Sequence, residues 1–210
     1  MAKSTVSLAV VRRLPRYYRH LQELKNDGVT RISSHLLAER LGLTASQIRQ
    51  DLNCFGEFGQ QGYGYNVETL VGEVADILGL RQNQKAILLG VGNIGRALCH
   101  NFDFVGAGVT LVGLFDPSPQ VVGQSFGNLT VMHLDELEHF VTERQPEVAI
   151  LAMPRREAHA MSERLSALPP IRGLWNFTNV DLRDSPGALP VEYVNFTDSL
   201  MTLCYRIKNR

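Results

Sequence analysis

The chain has 210 residues, of which 44% are hydrophobic and 20% charged, so it is long enough for one large or two ordinary domains with a core. No apolar run reaches the length of a membrane span and no signal peptide precedes the first helical segment, which excludes a membrane protein and predicts a cytoplasmic one. The net charge is zero, but residues 1–66 hold nine Lys/Arg against five Asp/Glu, a basic excess that suits a polyanionic partner.

The N-terminal module begins with three helical segments in quick succession. Ser33 or Ser34 is placed to cap the second segment, which ends at Gly42, and Thr44 is placed to cap the third. Gln47 then stands where a capping box needs it, three residues after Thr44. A helix, a glycine-containing turn and another helix form the helix-turn-helix pattern. The three segments are 14–25, 36–41 and 45–53.

The third segment has one apolar face and one polar face. Ile48 and Leu52 are predicted to enter the core. The other face carries side chains that can read base edges of DNA, although a solvated helix of a protein-interaction module would show the same pattern. The predicted DNA-contacting residues of this segment are Ser46, Gln47, Arg49, Gln50 and Asn53.

A glycine-rich and aromatic stretch follows over residues 55–65, with four glycines and four aromatic residues. Two short aromatic strands around a glycine tip would make a β-wing, so the module is predicted to be a winged helix. Gln60, Gln61 and Tyr63 at the tip are further candidates for DNA contacts.

Residues 90–95 form a Gly-x-Gly-x-x-Gly motif, which follows the apolar run 86–89 and precedes a helical segment. A second apolar run, 111–115, is followed directly by Asp116. In this context the glycines allow a pyrophosphate to approach the backbone, and Asp116 can accept hydrogen bonds from a ribose 2′-hydroxyl, which favours NAD(H) over NADP(H). A tight structural turn is the alternative. The residues predicted to bind the dinucleotide are Gly90, Val91, Gly92, Asn93, Ile94, Gly95 and Asp116.

Strand and helix patterns alternate after Asp116, which predicts a Rossmann-type doubly wound parallel sheet with ligands at the carboxyl ends of its strands. Met153, Pro154, Asn176 and Phe177 would then lie on the rim of the ligand site. For Asn176 and Phe177 the alternative is a capped strand end with a core aromatic residue.

Neither catalytic nor metal-binding residues are apparent in the sequence. A dehydrogenase needs a proton-transfer group beside the nicotinamide, and the chain has no Tyr-x-x-x-Lys pair and little sequence for a substrate domain. His133 and His139 are six residues apart, which is not a metal-ligand spacing on a helix, and the three cysteines lie far apart. The sequence therefore predicts that the dinucleotide is a signal, not a reagent.

Nearly the whole chain resembles the redox-sensing transcriptional repressor Rex family. The resemblance implies a homodimer on a palindromic DNA operator, release of the DNA by NADH but not by NAD⁺, and a C-terminal helix swapped between subunits. It also implies a winged-helix domain over 1–80, a Rossmann domain over 81–195 and a dimerisation helix over 196–210, with Phe196 at the cofactor. The segments that carry it are 13–19, 33–34, 48–52, 55–56, 59–65, 90–95, 115–116, 153–154 and 173–178.

The chain departs from the family pattern at the wing, on the recognition helix and at the sensing end. Gln60-Gln61 replaces a basic wing tip, and Gln50 stands where the family commonly has a lysine that reads guanine, which predicts an operator shifted towards A·T. The family's acidic residue that pairs with an arginine, here Arg19, is replaced by Asn195. The tyrosine near the nicotinamide is replaced at about Asn101. Both changes predict weaker discrimination between NAD⁺ and NADH.

Three functions follow from these patterns. The first is a DNA-binding transcriptional repressor modulated by NAD(H), which senses the NADH/NAD⁺ ratio. The second is an NAD-dependent oxidoreductase with a fused helical module. The third is a related repressor whose ligand sensing is weakened or altered, since similar folds bind coenzyme A. The apolar segment 196–207 suits an ordinary terminal helix in a monomer as well as a swapped helix in a dimer.

Overall fold

A computed structural model describes residues 6–60, 63–182 and 189–209, and the chain forms two compact units, Met1–Gln82 and Asn83–Arg210. The first unit is mainly helical, and its helices pack around one apolar core that includes Leu14, Tyr17, Leu37 and Ile48. Its helices are α1 (Leu8–Val11), α2 (Leu14–Asn26), α3 (Ser34–Leu41), α4 (Ala45–Asn53) and α5 (Val67–Ile77).

A small three-stranded sheet completes the first unit. Its strands are β1 (Arg31–Ile32), β2 (Gly59–Gln60) and β3 (Gly64–Asn66), in the antiparallel order β1-β3-β2. Strands β2 and β3 form the predicted wing, whereas β1 and α5 are additions that the sequence patterns did not predict. Residues 61 and 62, and with them Gln61, lie outside the described residues. A helix-turn-helix followed by a β-hairpin confirms the winged-helix prediction.

The second unit is built on a seven-stranded sheet in the order β10-β9-β8-β4-β5-β7-β6. All neighbouring strands are parallel except the edge strand β6, which runs antiparallel to β7. Numbered along the chain, the six parallel strands have the order 3-2-1-4-5-6 of a dinucleotide-binding fold. The strands are β4 (Gln84–Leu89), β5 (Val109–Phe115), β6 (Ser125–Phe126), β7 (Leu129–Met132), β8 (Val148–Leu151), β9 (Gly173–Asn176) and β10 (Val191–Tyr193).

Both faces of this sheet are covered by helices, as the predicted alternation requires. Successive residues of β4 point to opposite faces, so Ile87 and Leu89 enter one apolar cluster while Ala86 and Leu88 enter the other. Helices α7 and α8 contribute to the first cluster, and α6 packs against the second. The helices are α6 (Asn93–Asn101), α7 (Leu137–Arg144) and α8 (Ala158–Ser166).

The last element is α9 (Phe196–Lys208), and none of its residues is buried. Its large apolar side chains are at least half exposed. Among the described residues, no helix combines the length and the apolar character that a membrane span requires. The exposed apolar side chains of α9 are Phe196, Leu200, Met201, Leu203, Tyr205 and Ile207.

Candidate DNA interface and nucleotide site

The helix-turn-helix is defined by side-chain caps at both of its helices. The Ser33 hydroxyl accepts a hydrogen bond from the Leu36 N–H at 3.1 Å, and the Thr44 hydroxyl accepts one from the Gln47 N–H at 3.1 Å. Gly42 ends α3 in the left-handed conformation, with φ of 63°, which glycine adopts without steric cost. These caps fix the turn between α3 and α4 and so set the direction of α4.

The polar face of α4 carries the predicted DNA contacts. Ser46, Gln50 and Asn53 are exposed, and the Arg49 guanidinium is also exposed while it donates to the Ser34 hydroxyl at 2.9 Å. An open groove lies between this face and the wing, lined by Arg49 and Asn53 on one side and by residues 56–59 on the other. The surface is therefore a polar helix beside a hairpin, as a DNA-binding winged helix requires.

Gln47 differs from its prediction. Its side chain does not return to the backbone of Thr44, so the predicted capping box is wrong in its second half. Instead the Gln47 amide donates to Asp51 Oδ1 at 2.8 Å, one turn further along α4. A charged acceptor makes the stronger hydrogen bond, which explains the choice. One N–H of the Gln47 side-chain amide is therefore already hydrogen-bonded within the first unit.

Asp51 forms a buried cluster that sequence patterns missed. Its side chain is 1% exposed, and Arg13 donates to both carboxylate oxygens, at 2.6 and 2.7 Å. The Tyr17 hydroxyl donates at 2.5 Å, so α2 and its N-cap residue Arg13 together hold the buried side of α4. Arg13 and Tyr17 are four residues apart and thus share a helix face, a spacing that could have suggested a common partner.

The cluster changes the protonation equilibria of its members. Burial acts to raise the pKa of Asp51, but the hydrogen bonds from Arg13, Tyr17 and Gln47 together outweigh it and hold the pKa below its ordinary value. Burial and the bond to Asp51 raise the pKa of Tyr17. Asp51 is therefore ionised and Tyr17 neutral over the physiological range.

In the wing, Gln60 belongs to β2 and Tyr63 lies just before β3. The Tyr63 side chain is 70% exposed, and the Arg31 guanidinium lies over its ring with 5.9 Å between Cζ and the ring centroid. Arg31 was not among the predicted DNA contacts, because it precedes the wing in the sequence and joins it only through the pairing of β1 with β3.

The glycine turn joins β4 to α6 at the carboxyl edge of the sheet, between β4 and β8. Gly90 has a φ of 92°, and a Cβ there would lie 2.6 Å from the Ala152 carbonyl oxygen. A Cβ at Gly95 would collide with the carbonyl oxygen of Gly90, whereas a Cβ at Gly92 would meet no atom within 4 Å. Two of the glycines are therefore required by the fold, and the third borders open space.

The open space at Gly92 lies at the N-terminus of α6. Gly92 is the N-cap of this helix and supplies no side-chain hydrogen bond, so the first N–H groups of α6 have no side-chain cap. Uncapped N–H groups and the positive end of the helix dipole attract a phosphate. The Arg96 Nε donates to the Val91 carbonyl at 3.1 Å and so holds the turn from within α6. Asn93 and Ile94, in the first turn, are exposed.

Asp116 lies beside this turn, as predicted. Its side chain is buried, with the residue 8% exposed. Oδ2 accepts a hydrogen bond from the Val91 N–H at 2.7 Å and Oδ1 accepts one from the Ser118 N–H at 2.9 Å. The carboxylate therefore shapes the glycine turn in addition to its predicted contact with a ribose, for which each oxygen retains a lone pair.

Residues of the predicted rim fall at the ends of β8 and β9. Met153 is buried and Pro154 is exposed. The Cα of Met153 is among the atoms that a Cβ on Gly90 would meet, so Met153 lies beside the glycine turn and Pro154 directly follows Met153. Asn176 is 1% exposed, donates to the Val180 carbonyl at 2.9 Å and accepts from the backbone and hydroxyl of Thr178. Phe177 packs edge-on against Trp175. These bonds favour the structural alternative for Asn176 and Phe177, and their contact with a dinucleotide stays a prediction.

The predicted sensing residues are engaged locally. Asn101, at the end of α6, donates to the Ala97 carbonyl at 3.1 Å. Asn195 is the N-cap of α9, where its oxygen accepts from the Thr197 N–H at 2.9 Å and the Asp198 N–H at 3.3 Å, and Phe196 next to it is exposed. Arg19 is exposed on α2, in the first unit. Pairing of Arg19 with Asn195 stays a prediction.

No group of three His, Cys, Asp or Glu side chains within the described ranges could hold a metal ion. The three cysteines are free thiols, with Cys54 and Cys204 exposed. Burial raises the pKa of the third, Cys99.

Family models match both units. A model described as the N-terminus of a putative DNA-binding protein matches residues 5–53, and one described as a CoA binding domain matches residues 81–180. The first ends with the last residue of α4, and the second spans β4 to the end of β9. The division therefore follows the two units of the structure.

Relatives match along the entire chain. The redox-sensing transcriptional repressor Rex of Caldicellulosiruptor saccharolyticus is 45% identical, over 99% of this chain and 94% of its own length. The Rex of Clostridium perfringens is 43% identical, over 99% and 97%. A structure of RSP with β-NAD⁺ and operator DNA superposes with a TM-score of 0.91 at 43% identity, over 98% of this chain and 94% of RSP. RSP with β-NADH gives 0.89 at 40% identity, over 98% and 96%. The chain belongs to the redox-sensing transcriptional repressor Rex family.

Proposed function

We propose that this protein is a DNA-binding transcriptional repressor whose binding to an operator is modulated by NAD(H), so that it senses the NADH/NAD⁺ ratio in the cytoplasm. The observation that carries the proposal is the full-length likeness to RSP, which has been solved with β-NAD⁺ and operator DNA and with β-NADH. The open N-terminus of α6 at Gly92 and the polar face of α4 supply the two matching surfaces in this chain.

NAD(H) is the ligand that the nucleotide site favours. The pyrophosphate would lie over Gly92 and the N–H groups of Asn93 and Ile94, and the adenosine ribose would contact Asp116. Because the Asp116 carboxylate is buried, a 2′-phosphate beside it would meet an unscreened negative charge, which disfavours NADP(H). The dinucleotide acts as a signal in this proposal, in keeping with relatives that are named as transcriptional repressors.

The active species in this proposal is a homodimer on a palindromic operator. Helix α9 supports it, because six large apolar side chains stand exposed on a single 13-residue helix. Such a helix is marginally stable in water unless its apolar side chains are buried. A second copy of the chain would bury them and would place two winged helices on one duplex.

The function is tested by a ligand titration on DNA. A duplex selected by the purified protein from a random pool is labelled, and its release is followed by fluorescence anisotropy with NADH, NAD⁺, NADPH and coenzyme A in turn. We expect release by NADH at the lowest concentration and none by coenzyme A. Equal release by all four, or release by coenzyme A alone, would contradict the proposal, and hydride transfer to a small substrate would favour an oxidoreductase.

Selectivity between the redox states is expected to be lower than in RSP measured in parallel, because Asn195 carries no charge to pair with Arg19. The variant Asn195→Asp keeps the N-cap of α9, since Asp caps as well as Asn, and adds the charge. We expect its NADH selectivity to rise about five- to thirtyfold. The variant Asn128→Asp, with the same added charge in the exposed turn between β6 and β7, is the control. An unchanged selectivity in Asn195→Asp would show that this position does not couple the ligand to DNA.

Operator preference provides a further prediction, because Gln50 is exposed on α4 and its amide pairs best with adenine. The variant Gln50→Lys is expected to gain about five- to a hundredfold for guanine over adenine at one position of each half-site. Binding-site selection followed by sequencing measures this change. Asn26→Lys adds the same charge at the end of α2 and should leave the selected sequence unaltered. A wild-type operator that already has guanine at this position would overturn the prediction.

A further inference from the structure

The wing of this protein has no cation of its own. Between Phe55 and Asn66 the sequence contains no lysine or arginine, and its one charged residue is Glu57. A wing that approaches DNA lies beside phosphates, where an uncompensated acidic residue is unfavourable. A cation that serves the wing must therefore come from elsewhere in the first unit.

Strand β1 brings Arg31 to the wing. Arg31 lies opposite Asn66 and Ile32 opposite Tyr65 in the pairing of β1 with β3. Because neighbouring residues of a strand point to opposite faces, Ile32 and Tyr65 are buried while Arg31 and Asn66 are on the exposed face. Arg31 thus stands on the solvent side of the wing sheet, at the end far from the tip.

The guanidinium of Arg31 extends from there towards the tip. Its Nη1 donates to the Tyr63 carbonyl at 3.4 Å, and its Cζ lies 5.9 Å from the centroid of the Tyr63 ring. Asn66 is the residue opposite Arg31, and Tyr63 is three residues closer to the tip than Asn66. The guanidinium of Arg31 therefore lies nearer the tip than the Arg31 backbone does. The ring gives the flexible side chain a platform, and stacking leaves the N–H edge of a guanidinium able to bind an anion.

Charge on this face is available for a ligand. No ion pair joins Arg31 to a carboxylate within the described part of the chain, whereas the nearby Arg49 is bonded to Ser34. Tyr63 is 70% exposed, so the ring under the Arg31 guanidinium lies at the surface of the unit, where a ligand has access to the charge.

We propose that Arg31, stacked on Tyr63, is the phosphate-binding cation of the wing and contacts the DNA backbone beside the bases that α4 reads. The proposal rests on the proposed DNA-binding function. Such a contact holds the register of the protein on the duplex and carries no base preference. It also accounts for a wing with glutamines at its tip, since the cation is supplied by a neighbouring strand.

Salt dependence tests the proposal, because each phosphate neutralised by a cation contributes about 0.9 to the slope of log affinity against log salt concentration. The affinity of the full chain for its selected duplex is measured at about six KCl concentrations between about 50 and 300 mM. In Arg31→Gln we expect the slope to fall by about 0.9 and the affinity at 0.1 M salt to fall about eightfold, with the selected sequence unchanged.

Three further variants separate a phosphate contact from a structural effect. Arg31→Lys should recover most of the slope, whereas Tyr63→Leu, which removes the ring under the guanidinium, should weaken binding. Arg81→Gln, which removes the same charge from the pair with Asp76, is the control and should keep the slope. A wild-type slope in Arg31→Gln would overturn the assignment of Arg31 and would leave the proposed DNA-binding function standing. A wild-type protein that enriches no duplex would overturn the proposed function itself.

Discussion

Replacing Gly92 with alanine is expected to lower the affinity for NADH about ten- to a hundredfold while the folded unit keeps its stability. The φ of Gly92 is −75°, which alanine adopts readily, and its Cβ would meet no protein atom within 4 Å. The added methyl group would stand in the space that the pyrophosphate needs. Calorimetric titration with NADH and thermal unfolding without ligand measure the two quantities.

Gly95→Ala is the matched comparison, since its Cβ would collide with the Gly90 carbonyl oxygen. It should lose stability, by about 1–3 kcal/mol, as well as affinity. The same methyl group thus has different effects at two glycines of one turn. Wild-type NADH affinity in Gly92→Ala would show that the dinucleotide does not lie over the N-terminus of α6.

Replacing Arg13 with methionine is expected to destabilise the first unit by about 2–3 kcal/mol, because it leaves the Asp51 carboxylate buried without its cation. The loss should be largest at α4, which Asp51 joins to α2. Hydrogen exchange, read by mass spectrometry on segments of the full chain, measures it locally, while segments of β4 and α6 report on the other unit. Arg16→Met removes an exposed arginine from the first turn of α2 and should change stability by no more than about 0.5 kcal/mol.

Acid should affect the wild type and the Arg13 variant differently. The pKa of Asp51 is lowered in the folded unit, so its contribution is present above the unfolded value of about 3.9 and is lost as the pH falls through the folded value. Without Arg13 the folded pKa rises towards the unfolded one, and this part of the acid sensitivity should shrink. Equal acid profiles for the two proteins would exclude Asp51 as a source of stability.

Local signals allowed much of this molecule to be predicted. Thr44 and Ser33 define helix starts through their own hydroxyls, and the Gly90 turn followed by Asp116 needs a spacing that can be read along the chain. Non-local contacts were missed. Asp51 resembles any polar residue on a solvated helix face, and its partners Arg13 and Tyr17 lie 38 and 34 residues away in the sequence.

Contacts that sequence patterns do not reveal also explain the less accurate predictions. A two-residue strand such as β1 has no periodicity to detect, so the position of Arg31 beside the wing cannot be read from the sequence. Gln47 satisfies the sequence pattern of a capping box, but a carboxylate one turn away competes for its amide. Asn176 at a strand end suits either a ligand contact or a turn. Three hydrogen bonds within its own turn favour the second, and its contact with a dinucleotide stays a prediction.

The strand order of the second unit has a consequence for synthesis on the ribosome. Strand β4 emerges first and is central, β5 and then β7 add outwards on one side, and β8, β9 and β10 add outwards on the other. Each newly made parallel strand therefore finds its neighbour already exposed, and no finished pairing has to be opened to insert it. The nucleotide cleft needs β8 beside β4, so it is completed only after residue 151 has emerged. By then all of Met1–Gln82 has been available to fold, and the nascent chain has its DNA-binding unit before it has a ligand site.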